Sequence, residues 1–253
     1  MSQGVAEEQI KNWDNFCQYH VNCDWYGTWN TYAPDGQLIN SFKCIRSFHL
    51  NQEGSEIYHT NSYTYSDGKT ETKNFGPYKK PETRSLFLDS CFSWGSERVE
   101  IGASFAFETG FRYEEKRLSV PVVYDNEGFL QKILVISEKL GSYPEESNEK
   151  LNLQAHYSSD GWQGLGKIMT PYWMVSSLQE TSWDKIKNFS EDYQQLSFPE
   201  GVVVTCPQKL ESEKDFIAAV DWLINPHLLH RCTRVYDSSL LQGVSLEIFN
   251  KVA

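Results

Sequence analysis

Six side chains in the first half of the chain have types and spacings suited to meeting a ligand: His49, His59, Tyr63, Tyr65, Glu108 and Arg112. His49 and His59 flank a turn at Asn51-Gln52-Glu53-Gly54, so their imidazoles are expected to face each other across paired strands. Two imidazoles are half of a metal site. No Asp, Glu or Cys at ligand spacing completes it, so two polar interior residues and no metal are expected. In EIYHTNSYTYS (56–66), one face carries Ile57, His59, Asn61, Tyr63 and Tyr65, and the other Tyr58, Thr60, Ser62 and Thr64. Strand alternation normally separates apolar from polar. Here both faces are polar or amphipathic, which suits either a wet interior that binds through Tyr and His or an exposed rim. Glu108 and Arg112 are expected to pair, as an anchor for a ligand or as a surface ion pair of little energy. His227 and His230, in NPHLLH, fit a loop and a strand start. The chain contains no Gly-x-Ser-x-Gly, His-Glu-x-x-His, phosphate loop or dinucleotide fingerprint, and no Cys in a context that marks a nucleophile. No catalytic residue is therefore assigned.

These residues need strands to carry them. Residues 6–22 come first and have helical spacing, with Ile10, Trp13, Phe16, Cys17, His20 and Val21 on one stripe and Glu7 and Glu8 in the first turn. From Trp25 the pattern turns to strands: 25–33, 38–50, 56–66, 69–75, 85–92, 97–107, 111–124 and 129–139. Pro34-Asp35-Gly36, Asp67-Gly68 and Asn126-Glu127-Gly128 supply turn chemistry between them, and Gly110 is expected to break one. Eight consecutive strands with short loops predict an antiparallel meander able to close as an up-and-down barrel. In ERVEIGASFAFE, one face is Val99, Ile101, Ala103, Phe105 and Phe107, and the other is Glu100, Gly102, Ser104, Ala106 and Glu108. With the apolar face inward the strand is core and Glu108 is solvated; with the small face inward it leaves room for a ligand beside Glu108.

GSYPEESNEK (141–150) has linker composition, and strand signals resume after it at 151–157, 162–178, 201–206, 215–223, 228–236 and 241–249. Residues 182–193 suit a short helix or an irregular loop. Trp25-Tyr26-Gly27 has a counterpart in Trp162-Gln163-Gly164, and Val123-Tyr124-Asp125 in Val235-Tyr236-Asp237. Each Val-Tyr-Asp closes an Arg-bearing strand, with Arg117 in the first half and Arg231 and Arg234 in the second. A duplicated unit follows, complete in 1–140 and truncated in 141–253.

The net charge of −11 repels phosphate backbones, which argues against nucleic acid and anionic membrane surfaces as partners. No stretch has the apolar length of a membrane helix, and the first residues lack a signal-peptide pattern. Six cysteines without C-x-x-C spacing are expected as reduced thiols in a cytoplasmic protein.

Gly27-Thr28-Trp29, on a first strand just after a helix, resembles the Gly-x-Trp signature of lipocalins. The resemblance implies a Trp29 packed across the barrel base with a late-strand Arg over its ring, for which Arg117 is the matching candidate. The segments NCDWYGTWNTYAPDG, FAFETGFRYEEKRLSVPVVYD and RCTRVYDSSLLQG resemble an uncharacterised two-unit lipocalin-like (calycin) family known mainly from cyanobacteria and plastid-bearing organisms. More distantly the chain is similar to phycobiliprotein lyases. The expected fold is all-β: a lipocalin-like antiparallel β-barrel with an N-terminal helix, then a second, truncated barrel-like unit. Three functions fit it: a carrier of a hydrophobic or amphipathic small molecule, an enzyme such as a pigment lyase, isomerase or cyclase, or an assembly protein without a ligand. Neither the cofactor nor the oligomeric state can be named from the sequence.

Overall fold

In the computed structural model, whose described residues are 3–82, 84–144, 161–183 and 192–252, one α-helix precedes two antiparallel sheets. The helix is α1 (Gln3–His20). Nine strands follow: β1 (Cys23–Tyr32), β2 (Leu38–Leu50), β3 (Glu56–Thr64), β4 (Thr70–Lys79), β5 (Ser85–Leu88), β6 (Cys91–Gly95), β7 (Phe105–Tyr113), β8 (Lys116–Tyr124) and β9 (Leu130–Leu140). They pair in the order β4-β3-β2-β1-β9-β8-β7-β6-β5. The second sheet holds β10 (Trp162–Met169), β11 (Gln179–Thr181), β12 (Tyr193–Phe198), β13 (Val202–Pro207), β14 (Phe216–Asn225), β15 (Leu228–Asp237) and β16 (Leu240–Lys251), ordered β11-β10-β16-β15-β14-β13-β12.

The all-β architecture and leading helix match the expectation, but the first sheet does not close. Its edges, β4 and β5, are not hydrogen-bonded to each other, so the nine strands curl into a half-barrel. Helix α1 lies in the gap. Asn12 Nδ2 donates to the Glu82 and Ser85 carbonyls at 3.1 and 3.0 Å, and its Oδ1 accepts from Phe87 N at 2.7 Å. Asn15 Nδ2 donates to the Phe87 carbonyl at 2.9 Å. Side-chain amides of the helix thus satisfy the free edge of β5, which otherwise would offer its backbone to another strand. The helix begins at Gln3, so Glu7 and Glu8 fall beyond its first turn, and Ile10 is exposed rather than part of the docked stripe.

Several strand boundaries differ from expectation. The predicted strand 85–92 is a hairpin, split where Asp89 takes φ 51°. The predicted 111–124 is divided by a turn at Glu114, φ 52°, so Arg112 and Arg117 pair across β7 and β8. Gly110 does not end a strand. It lies inside β7, where an added Cβ would sit 2.3 Å from Phe92 Cε1. Residues 97–104 are not strand in the first sheet: Val99 N bonds to the Ser239 carbonyl, and Arg98 bridges to Leu240, so the segment is drawn to the second sheet. In the second half, the predicted strand 162–178 ends at Met169, where Trp173 N bonds to the Thr170 carbonyl in a turn. The predicted strand 151–157 and most of 182–193 lie outside the described residues.

The largest core sits between the sheets, on the outer face of the half-barrel. Phe105, Phe107, Phe111, Leu118, Val120 and Val122 pack there with Val202, Val204, Phe216, Val220, Trp222 and Tyr236. Of the apolar face of ERVEIGASFAFE, Val99, Phe105 and Phe107 are core, between the sheets, whereas Ile101 and Ala103 are exposed. Of the other face, Glu108 is buried in the half-barrel rather than solvated, while Glu100, Gly102 and Ser104 are exposed. The two Val-Tyr-Asp segments meet in this layer. Both β8–β9 and β15–β16 shift register at the Val-Tyr step, and the hydroxyls cross reciprocally. Tyr124 Oη donates to the Pro207 carbonyl at 2.9 Å, and Tyr236 Oη to the Ser96 carbonyl at 3.0 Å. Arg234 adds bonds to Ser93 Oγ at 2.6 Å and the Ser96 carbonyl at 2.9 Å, locking one sheet to the other.

Candidate functional site

The concave interior of the half-barrel is built by register. Across the sheet, Trp25 and Arg46 are partners, as are Arg46 and Asn61, Gly27 and Glu138, Glu138 and Arg117, and Pro121 and Glu108. Residues opposite each other in a pleated sheet share a face, so four charged side chains point inward together. Arg46 Nη1 lies 3.3 Å from Glu108 Oε1 and its Nε lies 3.2 Å from Glu138 Oε1. Arg117 Nη1 pairs with Glu138 Oε2, and Ser119 Oγ donates to Glu108 Oε1. Trp94 Nε1 donates to Glu108 Oε2 at 2.6 Å. Arg46, Glu108, Arg117 and Glu138 are all buried. Burial works against the charge on Arg46, yet Glu138 and Glu108 outweigh it and raise its pKa; at Arg117 burial prevails and lowers it.

Beside this network runs a polar chain. His59 Nε2 contacts Asn61 Oδ1 at 2.8 Å, Asn61 Nδ2 donates to Tyr63 Oη at 2.8 Å, and His59 Nδ1 meets Tyr78 Oη at 3.0 Å. Burial first, and then Arg46, push His59 down to about 3, so its ring is neutral. His59, Asn61 and Tyr63 of EIYHTNSYTYS are buried inside the half-barrel rather than on an exposed rim. Tyr65, toward the open end, donates to Glu71 Oε2 at 2.7 Å.

The sequence-predicted residues are only partly brought together. His49 does not face His59: the register pairs Phe48 with His59 and His49 with Tyr58, which puts the imidazoles on opposite faces. His49 is exposed and stands 3.9 Å from Asp24. Glu108 and Arg112 do not pair. Glu108 is engaged by Arg46, Trp94 and Ser119, whereas Arg112 Nη1 donates to the Tyr19 and Gln18 carbonyls at 2.7 and 3.3 Å. It thereby caps the C-terminus of α1, and its guanidinium lies 5.3 Å from the Trp25 ring centre. The arginine over Trp29 is Arg46, at 4.8 Å, not Arg117, which lies over Phe92 at 4.8 Å. Gly27 is required: a Cβ there would stand 2.5 Å from both the Ser137 carbonyl and Glu138 Cγ.

Three residues escaped the sequence reading. Arg46 and Glu138 sit on strands for which no inward face was read, and nothing in the sequence said that both charges would be buried against each other. His20 was assigned only to the apolar stripe of α1. It is 1% exposed, both ring nitrogens lack a hydrogen-bond partner, and it lies among Phe16, Phe87 and Phe92. Burial, followed by Arg117, Arg112 and Arg46, holds its pKa well below the usual value.

Among the described residues, no group of three or more His, Cys, Asp or Glu gathers as a metal site. No helix among them is long and apolar enough to cross a membrane.

A half-barrel sealed by a helix and backed by a second sheet defines an all-β class of two-sheet proteins. Residues 9–143 match the N-terminal domain of unknown function DUF3598, more than half of the chain, and the protein belongs to that family. Residues 143–242 match the C-terminal domain of "Biogenesis factor required for ATP synthase 1". A DUF3598 protein of unknown function from Nostoc punctiforme shares the fold: 18% identity, TM-score 0.74, over 95% of this chain and 99% of that one. An S-type phycobiliprotein lyase from Guillardia theta is more distant, at 8% identity and TM-score 0.23 over 100% of this chain and 99% of that one. A putative outer membrane protein from Bacteroides fragilis stands at 12% and 0.26 over 90% and 96%. No curated protein matches the chain.

Proposed function

We propose that the protein is a non-enzymatic assembly factor that engages a protein subunit through its outer surface. One observation carries this reading: the half-barrel is filled by its own side chains. Arg46, Arg117, Glu108 and Glu138 neutralise one another in its middle, and aromatic rings occupy its helix end. A carrier of cargo needs a cavity of roughly 300–1,000 Å³, and the enclosed space here is about 20 Å³. The match of 143–242 to the C-terminal domain of a biogenesis factor supports the same reading. So does a run of exposed apolar side chains, Tyr172, Met174, Val175 and Leu178, in one loop of the second half. The reading keeps two units, 1–140 and 141–253, and free thiols and an acidic composition fit a cytoplasmic site of action.

The test is to mix the purified protein with individually expressed subunits of its host's ATP synthase and measure native masses. A stoichiometric complex with one subunit is the expected result. No complex with any subunit, together with a discrete small-molecule mass on protein from its own host, overturns it in favour of a carrier. Tyr63, Tyr65, His59 and Glu108 would then be the first residues to substitute.

A further inference from the structure

A sheet edge offers backbone groups that a further strand can take up, and natural proteins shorten, cover or charge such edges. Four strands end the two sheets: β4, β5, β11 and β12. β5 has four residues and is covered by Asn12 and Asn15 of α1, while β11 has three residues and β12 six. β4 is different. It has ten residues, all exposed but Tyr78, and among the described residues it pairs with β3 on one side and with no strand on the other.

The hairpin at Asp67-Gly68 sets which groups of β4 face outward. Tyr65 N donates to the Lys69 carbonyl at 2.9 Å, and the register then runs without a shift from Thr64–Thr70 to His59–Phe75. Inward and outward bonding alternate along an antiparallel strand. Lys69, Glu71 and Lys73 therefore bond to β3, and the backbone N–H and C=O of Thr70, Thr72 and Asn74 point out of the sheet. The side chains of Glu71 and Lys73 lie on the concave face: Tyr65 Oη donates to Glu71, and Lys73 Nζ stands 5.6 Å from the Tyr63 ring centre. Within the chain Lys73 already reaches Glu71, at 3.2 Å.

We propose that β4 is a self-association edge, on which a second copy of this chain pairs antiparallel through its own β4, with the two-fold axis at Thr72. A two-fold contact must be complementary to itself, and this edge is. Thr72 meets Thr72 of the second copy as a hydrogen-bonded pair, and Thr70 meets its Asn74. Glu71 then stands across from Lys73 of the second copy, and Lys73 across from its Glu71. Opposite charges and threonine pairs facing each other across strands are stabilising, and like charges there are destabilising. Moving the axis to residue 71 sets Glu71 against Glu71, and moving it to residue 73 sets Lys73 against Lys73, so the charges select the register at Thr72. The lysines at the ends of the strand are paired within the chain, Lys69 with Asp67 at 2.7 Å and Lys79 with Glu56 at 3.5 Å. The contact is short, which puts the dimer in the weak class of interfaces. It does not rest on the assembly reading, since β4 belongs to the first sheet and the exposed apolar loop to the second half.

The test is sedimentation equilibrium of the full chain by itself, from about 1 to about 500 µM. The mass should rise from one chain toward two across this range. Thr72→Pro removes the outward N–H at the centre of the contact, at an edge position where proline is tolerated, and should leave a folded monomer. Lys73→Glu and Glu71→Lys should each weaken association at least about ten-fold. An equimolar mixture of those two variants should recover it, because every facing charge is then opposite; this exchange decides even if the proline variant fails to fold. A monomer at every concentration, a dimer that folded Thr72→Pro leaves intact, or a mixture that associates no better than its components overturns the proposal. If the protein stays monomeric and Thr72→Pro instead loses a subunit that the unchanged chain binds, the edge belongs to a strand of that subunit and the proposal fails.

Discussion

The two sheets place the same three residue types in the same relation and use them differently. In the first, Gly27 faces Glu138, which faces Arg117. In the second, Gly166 faces Glu247, which faces Arg231. The equivalence comes from register and displaces the Trp-based alignment by two residues, because Trp162 pairs with Lys251 and Gly164 with Phe249. In the second sheet Arg231 is held by Asp221 in a two-point contact, Nε–Oδ1 2.6 Å and Nη2–Oδ2 3.1 Å, while Glu247 takes a bond from Thr181 at 2.5 Å. In the first sheet no aspartate stands beside Arg117. The position across from it is Arg112, and Glu138 is instead shared by two arginines. In the second sheet one aspartate holds one arginine; in the first, two glutamates are shared by two arginines, and Arg112 is spent on the end of α1. The same constellation thus takes different partners, depending on the neighbouring strand.

The largest effects should come from breaking each network. Glu138→Ala strands the buried Arg117, leaving Arg46 with Glu108 alone, and should cost about 3–5 kcal/mol in denaturant unfolding. Asp221→Ala should cost a similar amount, about 3–5 kcal/mol, by stranding Arg231. A loss below about 1 kcal/mol at Glu138, of the size typical of surface pairs, would mean that the first network is not a buried ionic one.

Acid should load a buried histidine in each sheet, His59 in the first and His230 in the second, the latter pushed down to about 4 by burial. His59 is held neutral, its pKa pushed to about 3 by burial first and then by Arg46. The unfolded chain therefore takes up that proton at higher pH than the folded one. The stability is present above about 6.5, the free histidine value, and is lost as pH falls toward the folded value. Between pH 7 and pH 5 the loss from this residue should be about 2 kcal/mol, and His59→Phe should flatten the slope of a thermal-melt series. An unchanged slope would show that His59 is not one of the buried proton sinks.

Adding a methyl should separate the glycines. Gly27→Ala meets the Ser137 carbonyl at 2.5 Å and should cost about 1–3 kcal/mol. Gly166→Ala meets chiefly Glu247 Cγ at 2.9 Å, a flexible side chain, and should cost under about 1 kcal/mol. Equal losses would erase that distinction. The smallest effect belongs to His49→Ala, on the outer face, with a melting point unchanged within about 0.5 kcal/mol.

Local chemistry in the sequence determined much of the fold. The turns at Pro34-Asp35-Gly36, Asp67-Gly68 and Asn126-Glu127-Gly128, the period-two strands and the stripe Trp13-Phe16-His20 are short-range signals, and they gave the helix and the antiparallel strands that follow it. The repeated Val-Tyr-Asp marked two places where a register shift and a buried tyrosine hydroxyl recur. What the sequence left open depended on partners far along the chain. Whether β4 meets β5, whether Arg46 or Arg117 lies over Trp29, and whether Arg112 turns to Glu108 or to the end of α1 are decided by register and sheet curvature. Residues 97–104 alternate like a strand and still leave the first sheet, because the Ser239 carbonyl and Leu240 of the other half hold them. Alternation fixes which side of a strand a residue takes, but only the curled sheet decides which charges are forced together out of water and which one turns to the end of the helix.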